Sequence, residues 1–461
     1  MRARRFGSVA LFVLAAAIAS PAVSAPAPQA DQAKDILKRS IGFRTVKGQG
    51  QTEAYADYLA SVLKDAGFPA GDIEVTPVGD TATLTARYRG ADPARKPILL
   101  LVHMDVVEAR AADWKRDPFT AIEENGYIFG RGATDNKFDV AMITATIAQL
   151  KREGFRPGRD IILTFTGDEE TEMATTQLLA QRFKDAEIVL NGDGGGGALG
   201  DDGKPLYYSL QAAEKTYADF VVEFTDPGGH SSRPGKNNPI YRLAKALDHV
   251  GAYKFPPQAS PITRAALKAQ SKLVGGEIGA AMARFAADPA DTEAADRISQ
   301  DPEYIGQVRT TCVATMVNAG HAENALPQRA TANINCRIFP GVKPETVQAK
   351  LAEIVADPDA KITTKGEVNY SDASPLRDDV MKAIDKAVHA RAPGLPIIPT
   401  MEAGATDSLH FRALGIPSYG VSGLFMKPTD MLAHGLDERV PVASIAPALD
   451  HWRSLLTDLG R

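Results

Sequence analysis

The feature that most constrains this chain is an apolar run that ends in three consecutive acids. Residues Ile161–Thr166 are apolar or β-branched, which predicts a buried β-strand. Asp168, Glu169 and Glu170 follow after a single glycine. Adjacent carboxylates repel one another unless a cation compensates them, and open α/β sheets bind ligands at the carboxyl ends of their strands. The stretch therefore predicts a functional site, with a solvated acidic loop as the alternative.

Two more apolar runs end in polar side chains. Residues 98–102 lead into His103-Met104-Asp105, and residues 188–190 lead into Asn191-Gly192-Asp193. On an extended chain, side chains two residues apart lie on the same face, so Asp105 can orient the imidazole of His103. A core histidine with no ligand is the alternative interpretation. Three predicted strands thus end beside possible ligands.

Helix and strand patterns alternate in the first half of the chain, which favours an α/β fold. Helical patterns cover residues 52–66 and 139–150, and strand patterns cover residues 73–78 and 82–88. A glycine-bracketed turn, Gly130-Arg131-Gly132-Ala133-Thr134-Asp135, precedes the second helix. Asp135 would stand where the helix dipole favours an anion, although an ordinary N-terminal helix acid would look the same.

Composition sets the class of protein. The chain has 461 residues, of which 44% are hydrophobic and 24% charged, and this is enough for two domains with their own cores. A net charge of -5 gives no basic surface for nucleic acid. Cys312 and Cys336 are too few for a disulfide scaffold or a thiolate metal site, and a single disulfide between them is conceivable.

The N-terminus has the layout of a secretory signal. Three arginines within the first five residues precede an apolar run over residues 9–19, and small residues follow. We predict a signal peptide over residues 1–25, with cleavage between Ser20 and Asp31. An uncleaved membrane anchor is the alternative. Cleavage would leave a periplasmic or secreted protein without stable membrane association, since no later segment is long and apolar enough to span a bilayer.

Together these motifs resemble a family of dinuclear-zinc peptidases that includes aminoacylases, carboxypeptidase S, glutamate carboxypeptidase, carnosinases and succinyl-diaminopimelate desuccinylase. The matching positions are His103-x-Asp105, the turn ending at Asp135, Asp168-Glu169-Glu170, Asp193 and a late His434. The resemblance implies a zinc exopeptidase fold, with a mostly parallel sheet, helices on both faces and an inserted α+β domain that contains a four-stranded sheet.

The resemblance also implies a ligand set for two metal ions. Asp135 would bridge the ions, His103 and Asp193 would complete one site, and Glu170 and His434 the other. Imidazole and carboxylate ligands, with one bridging carboxylate, are the set that a two-metal site requires. Two Zn²⁺ per subunit are expected, and Co²⁺ or Mn²⁺ would suit the same ligands.

Further roles follow from the same resemblance. Glu169 would be the general base, Asp105 would fix His103, and His230 in Gly-Gly-His-Ser-Ser would polarise the substrate carbonyl. A loop histidine without function is the alternative for His230. The residues that match substrate-binding positions are Asn324, Arg337 and Gly404. An arginine is suited to gripping a carboxylate, although a solvated strand arginine is the common case.

We therefore predict a catalytic domain over residues 31–211 and 372–461, with a lid over residues 212–371 that forms a homodimer. Residues 251–307 exceed a minimal lid and could extend either the lid or the dimer contact. The expected activity is hydrolysis of small peptides, of carboxypeptidase or dipeptidase type. An N-acyl amino acid deacylase is the alternative on the same site, and a binding protein that has lost its metals is the alternative from another class.

Overall fold

The computed structural model describes residues 28–461, so the predicted signal peptide lies outside the described residues. The described helices are α1 Pro28–Ile41, α2 Thr52–Asp65, α3 Lys137–Arg152, α4 Ala174–Arg182, α5 Pro239–Ala252, α6 Pro261–Val274, α7 Gly276–Ala287, α8 Thr292–Ile298, α9 Ile305–Val308, α10 Pro344–Val355, α11 Asp378–Arg391, α12 Ser408–Ala413 and α13 Ile445–Leu459. None of them has the length and apolar character that crossing a membrane requires.

The described strands are β1 Ile73–Val78, β2 Thr81–Tyr88, β3 Ile98–His103, β4 Ile122–Glu124, β5 Tyr127–Phe129, β6 Ile161–Thr166, β7 Ile188–Asn191, β8 Gly196–Leu199, β9 Pro205–Glu214, β10 Thr216–Thr225, β11 Gly229–His230, β12 Thr311–Ala319, β13 Ala325–Leu326, β14 Arg329–Ile338, β15 Lys361–Lys365, β16 Ile397–Glu402, β17 Ser418–Gly420, β18 Phe425–Met426 and β19 Arg439–Pro441.

Ten strands form one large sheet with a parallel centre. The order is β1-β2-β6-β3-β7-β17-β9-β8-β18, and β16 pairs with β9. Strands β6, β3, β7 and β17 run parallel, and β1 and β2 form an antiparallel edge. Every residue of β3 and β6 is buried, which explains why their sequences are mainly apolar throughout and do not alternate between apolar and polar residues. The expected α/β fold with a mostly parallel sheet is confirmed.

Helices cover both faces of the sheet, as successive strand side chains require. Leu100 and Val102 of β3 belong to a core shared with α1, α3, α11 and α13. Leu99 and Leu101 belong to a smaller core shared with α4 and α12 on the opposite face. The register pairs His103 with Thr166 and Leu101 with Asn191. The segments after β3, β6 and β7 therefore leave the sheet at the same edge.

A second, four-stranded antiparallel sheet has the order β12-β14-β10-β15. Helices α5 and α10 pack on one face, and the buried positions alternate along β10 and β14. The chain passes from the large sheet to this one at Lys215, directly between β9 and β10. The predicted boundary at residue 212 falls inside β9.

The two cysteines join neighbouring strands of the second sheet. Cys312 of β12 and Cys336 of β14 occupy opposed positions in the strand register and form a disulfide. Cys336 is fully buried in the core beneath α5 and α10. The bond links an edge strand of this sheet to its interior.

Residues 261–308 form a compact group of helices, α6 to α9, with a small core of their own. The group also packs on the large sheet, because Ile262 of α6 belongs to the core of that sheet. Gln307 donates a hydrogen bond from Nε2 to the carbonyl oxygen of Met401 in β16, at 3.2 Å. These helices therefore lie against the large sheet, a placement that neither expected alternative, an extended lid or an extended dimer contact, included.

Candidate metal centre

The centre is built around the carboxylate of Asp135. This residue ends the glycine turn after β5 and lies two residues before the start of α3. His103 Nε2 lies 2.9 Å from Asp135 Oδ1, and His434 Nε2 lies 3.2 Å from Asp135 Oδ2. Burial disfavours ionisation of Asp135, but hydrogen bonds from the two histidines outweigh it and lower the pKa of this carboxyl. One carboxylate thus has a histidine at each of its oxygens.

The remaining predicted ligands surround this unit. Glu170 Oε1 lies 3.0 Å from His434 Nε2, and Asp193 Oδ2 lies 3.9 Å from His103 Nε2. Ligand atoms of His103, Asp135 and Glu170 all lie within 4.8 Å of one another. All five predicted ligands, from segments far apart in the sequence, therefore meet at one edge of the large sheet.

Asp193 reaches the centre along a tight path after β7. A side chain at Gly192 would put its Cβ 2.7 Å from Cβ of Asp139 and 2.7 Å from Cγ1 of Val102. Glycine is therefore required where the backbone passes between α3 and β3. His434 is held differently: it has a φ of 61° and a half-exposed side chain.

Uncompensated negative charge accumulates at the centre. Burial raises the pKa of Glu169 well above its usual range, with further contributions from Asp193, Asp407 and Glu170. Burial, with Asp135, Asp407 and Glu170, likewise raises the pKa of Asp193. Divalent cations would relieve this repulsion, and imidazole and carboxylate groups are their usual ligands. The donor set therefore fits a metal pair.

Asp105 supports the centre through two strands. Its Oδ1 lies 3.5 Å from His103 Nδ1, while its backbone oxygen lies 3.1 Å from the same atom. The backbone amides of Glu169 and Glu170 donate to its Oδ1 and Oδ2, each at 3.1 Å. Asp105 thus orients the end of β3 and also holds the acidic turn after β6.

The three consecutive acids do not share one role. The carboxylate of Asp168 is buried and accepts hydrogen bonds from the amides of Ala174 and Thr175, at 2.8 and 3.0 Å, at the start of α4. Glu169 and Glu170 instead line a cavity of about 290 Å³ above the sheet edge. The other residues lining this cavity are Asp135, Thr171, Met173, Asp193, Ala405, Thr406 and His434.

The predicted substrate-binding residues lie in two places. Arg337 Nη1 donates to the carbonyl oxygen of Ala403 at 3.1 Å, and its guanidinium lies 4.6 Å from the centre of the Tyr217 ring. Gly404 follows Ala403 in the turn that continues to the cavity wall at Ala405. Arg337 and Gly404 therefore adjoin the cavity.

His230 and Asn324 lie together and are not among the residues that line this cavity. They belong to the short β11–β13 ribbon, where Ser231 N donates to Asn324 O at 3.0 Å. Both side chains are exposed, and Ser232 donates to His230 Nδ1 from its backbone amide at 3.2 Å. Among the contacts of the described residues, none joins either side chain to the five candidate ligands.

Sequence reasoning missed Glu438 and Arg131. Glu438 is fully buried, and its carboxylate forms an ion pair with Arg131 at 2.7 Å beneath the Asp135 turn. Arg131 stood in the glycine turn and Glu438 four residues after His434, so both were adjacent to motifs. Their burial was the missing information.

The family model for peptidase family M20/M25/M40 matches residues 99–458. The chain belongs to this family. The family resemblance predicted from the motifs is confirmed. Members of the M20 family are metal-dependent peptidases, so this chain is a metal-dependent hydrolase of peptide or amide bonds.

Two relatives are named for different activities. The mouse N-fatty-acyl-amino acid synthase/hydrolase PM20D1 is 28% identical over 430 residues, covering 89% of this chain and 84% of the relative. The probable carboxypeptidase S-like 2 of Dictyostelium discoideum is 27% identical over 400 residues, covering 81% of this chain and 74% of the relative. One is named for amino acids carrying a fatty acyl group and the other for peptides.

The fold also matches a solved M20 structure. The M20 family metallo-carboxypeptidase Sso-CP2 from Sulfolobus solfataricus superimposes with a TM-score of 0.68 at 19% identity, covering 93% of this chain and 99% of that one. This similarity extends over both sheets and supports the expected zinc exopeptidase architecture with its inserted domain.

Proposed function

We propose that this M20 protein is an exported hydrolase that uses two zinc ions to cleave the amide bond of small peptides with a free carboxylate. The observation that carries the proposal is the Asp135 carboxylate, with His103 Nε2 at one oxygen and His434 Nε2 at the other. A carboxylate shared between two imidazoles is the arrangement that a bridged metal pair needs.

The remaining ligands divide naturally between the two ions. Asp193 lies on the side of His103, and Glu170 on the side of His434. The proposed sites are therefore His103, Asp135 and Asp193 for one ion, and Asp135, Glu170 and His434 for the other. Zinc is proposed as the physiological ion. The same oxygen and nitrogen donors would also accept Co²⁺ or Mn²⁺.

When bound, such a metal pair supplies Lewis acidity for the scissile carbonyl and lowers the pKa of water towards about 7. Glu169 takes the proton from the attacking water and returns it to the leaving amine. Its carboxylate lines the cavity, and burial raises its pKa, which strengthens its affinity for the proton of the attacking water. Asp105 holds the acidic turn and the imidazole of His103 in position.

The substrate carboxylate is bound by Arg337 beside the turn that contains Gly404. The guanidinium already donates to the Ala403 carbonyl, which leaves further N–H groups for a carboxylate. His230 polarises the substrate carbonyl, and Asn324 contributes with Arg337 to binding the substrate carboxylate. Because no contact of the described residues joins the side chain of His230 or Asn324 to the metal centre of its own chain, we propose that these two residues complete the site of a second copy.

A homodimer and an oxidising compartment accompany this proposal. The side chains of Val313, Met316 and Val317 on the edge strand β12 are each at least 59% exposed, which supports pairing between two lids. The disulfide between Cys312 and Cys336 is typical of exported proteins and supports a periplasmic or secreted location.

An N-acyl amino acid amidohydrolase is the second candidate. It is favoured by the similarity to PM20D1, which is named an N-fatty-acyl-amino acid synthase/hydrolase. A peptide and an N-acyl amino acid present the same elements to the site, namely an amide carbonyl next to an amino acid with a free carboxylate. The centre supports both reactions, so the acyl side of the substrate decides between them.

The test is a substrate panel on the purified, zinc-loaded protein. We expect turnover of dipeptides or carboxyl-terminal peptide residues, loss of turnover when the substrate carboxyl is amidated, and loss when metal is removed by a chelator. Faster turnover of N-acyl amino acids than of any peptide would favour the deacylase. Two metals bound without any turnover across the panel would contradict both proposals, and absence of bound metal would restore the binding-protein alternative.

A further inference from the structure

The buried carboxylate of Glu438 holds the backbone of the turn that carries Asp135. Its Oε1 accepts hydrogen bonds from Thr134 N at 2.7 Å, Thr134 Oγ1 at 2.8 Å and Asp135 N at 3.0 Å. Its Oε2 accepts from Arg131 Nη1 at 2.7 Å and Gly132 N at 2.9 Å. Five donors from a six-residue turn therefore converge on one carboxylate.

The same residues tie this turn to the loop of His434. The backbone amide of Gly130 donates to the carbonyl oxygen of Glu438 at 3.0 Å, and Arg131 Nη2 donates to the carbonyl oxygen of Gly435 at 3.1 Å. Glu438 lies four residues after His434. Two segments separated by about three hundred residues are thus joined at the point where each presents a candidate ligand.

We propose that Glu438 is a positioning residue that fixes Asp135 relative to His434 and thereby sets the affinity and geometry of the metal pair. The inference rests on the proposed function, because it concerns the ions that those ligands would hold. Glu438 would touch neither the ions nor the substrate. It would act through the backbone amide of Asp135 and through the loop that it shares with His434.

The hydrogen-bond pattern explains why only a carboxylate suits this position. Every partner of Glu438 is a donor, and each oxygen accepts at least two of them. An amide offers one oxygen and one NH₂ group, so Glu438→Gln would turn the NH₂ group against donors in either orientation. The turn would have to shift, and partners beyond the ligands typically affect metal affinity by about 10- to 100-fold.

Asp430 provides a matched control. It is also buried and lies four residues before His434, on the other side of the same loop. Its carboxylate accepts hydrogen bonds from Arg439 Nε at 2.9 Å and from the Tyr127 hydroxyl at 2.9 Å, and none from the Asp135 turn among the bonds of the described residues. Asp430→Asn therefore removes a buried charge from the loop without disturbing Asp135.

The experiment is a Co²⁺ titration of the metal-free protein, followed by visible absorption. We expect the unmodified protein to bind two ions. Glu438→Gln should bind at least one of them about 10- to 100-fold more weakly and with an altered absorption spectrum. Asp430→Asn should lower the thermal midpoint yet keep both dissociation constants and the spectrum.

Two results with the Glu438→Gln and Asp430→Asn variants would overturn the inference. One is a folded Glu438→Gln protein that binds two Co²⁺ ions with unchanged affinity and spectrum, and the other is equal metal loss in Asp430→Asn. If Glu438→Gln does not fold, as judged by circular dichroism, Thr134→Val removes a single bond to Glu438 and should weaken Co²⁺ binding by about two- to tenfold. Unchanged binding in that variant would also overturn it. An unmodified protein that takes up no Co²⁺ would instead refute the proposed function itself.

Discussion

The backbone amide of Glu169 donates a hydrogen bond to Oδ1 of Asp105 at 3.1 Å. This bond attaches the first residue after Asp168 to the end of the neighbouring strand β3. It fixes the main chain of Glu169 while its carboxylate lines the cavity. Among the hydrogen bonds of residues 28–461, none involves that carboxylate. The side chain is thus held in place by its backbone and remains available for proton transfer.

We expect Glu169→Gln to lower kcat by about 10²- to 10⁴-fold, because an amide cannot accept the proton of the attacking water. Metal content, measured by elemental analysis, should not change. Glu172→Gln is the control, since Glu172 belongs to the same acidic turn but is exposed and paired with Lys47. A Glu169→Gln enzyme with near-normal turnover would refute the assignment of the base.

Arg337→Met should reduce kcat/KM for substrates with a free carboxylate by about 10- to 100-fold, the value of charge-assisted hydrogen bonds. Turnover of the same substrates in amidated form, already slow, should not fall further. Arg329→Met is the control, because Arg329 lies at the other end of β14 and pairs with Glu223. Equal losses on both substrate forms would show that Arg337 does not bind the carboxylate.

His230→Ala and Glu169→Gln should each be inactive alone but complement each other when mixed and reassembled. If His230 serves the partner's site, a mixed dimer contains one complete site, and a random mixture should recover about a quarter of normal activity. Activity would be measured after dissociation and reassociation of the subunits. No recovery, despite mixed dimers, would place His230 in the site of its own chain.

Asp139 should make the fold less stable as pH rises. Its carboxylate is buried between α3 and α13, where it accepts hydrogen bonds from Ser422 Oγ at 2.6 Å and Trp452 Nε1 at 2.8 Å. Burial raises the pKa of Asp139 from 3.8 to about 6. Because the folded state binds this proton more tightly, the contribution to stability is full below pH 3.8 and is lost as pH rises through about 6.

The free energy of unfolding of Asp139→Asn, relative to the unmodified protein, should therefore increase by about 2 kcal/mol between pH 4 and pH 6. Urea denaturation of both proteins in metal-free form measures this difference in unfolding free energy. The metal ligands titrate equally in the two proteins, so their contribution cancels. A difference that is independent of pH would show that Asp139 is ionised normally in the folded state.

His451, which lies next to Trp452, should show the opposite dependence. Its imidazole is buried near Val421 O, at 3.0 Å, and burial lowers the pKa of His451 to about 4. Since the unfolded chain binds this proton more tightly, the contribution to stability is present above about pH 6.5 and is lost as pH falls through about 4. His451→Gln, relative to the unmodified protein, should lose about 3 kcal/mol of unfolding free energy between pH 4 and pH 6.5.

The sequence predicted the centre because three central strands are buried on both faces and end at one edge. Continuous apolar runs before His103, Asp168 and Asp193 marked these strand ends. The predicted strands over residues 73–78 and 82–88 also agree with β1 and β2 to within one residue. Strand β9, which carries the chain into the second sheet, was overlooked because its sequence mixes polar and apolar residues and contains no continuous apolar run.

The division of labour among the acids could not be read from the chain. Asp168 and Glu169 are neighbours, yet one caps α4 and the other lines the cavity, since side-chain direction depends on the path of the turn. The disulfide likewise required the β12–β14 register, which places Cys312 opposite Cys336. Glu438 required its burial to be known. In each case tertiary geometry, rather than local pattern, supplied the information.

The packing of α6 on the large sheet limits how this protein can be shortened. Ile262 is shared with the catalytic core, whereas Leu267 and its neighbours form the separate core of α6 to α9. Excising residues 261–308 and closing the gap with a flexible linker would open a hole in the catalytic half of the molecule. A minimised enzyme would instead need a substitute apolar side chain at the place of Ile262, built on whatever segment replaces these helices.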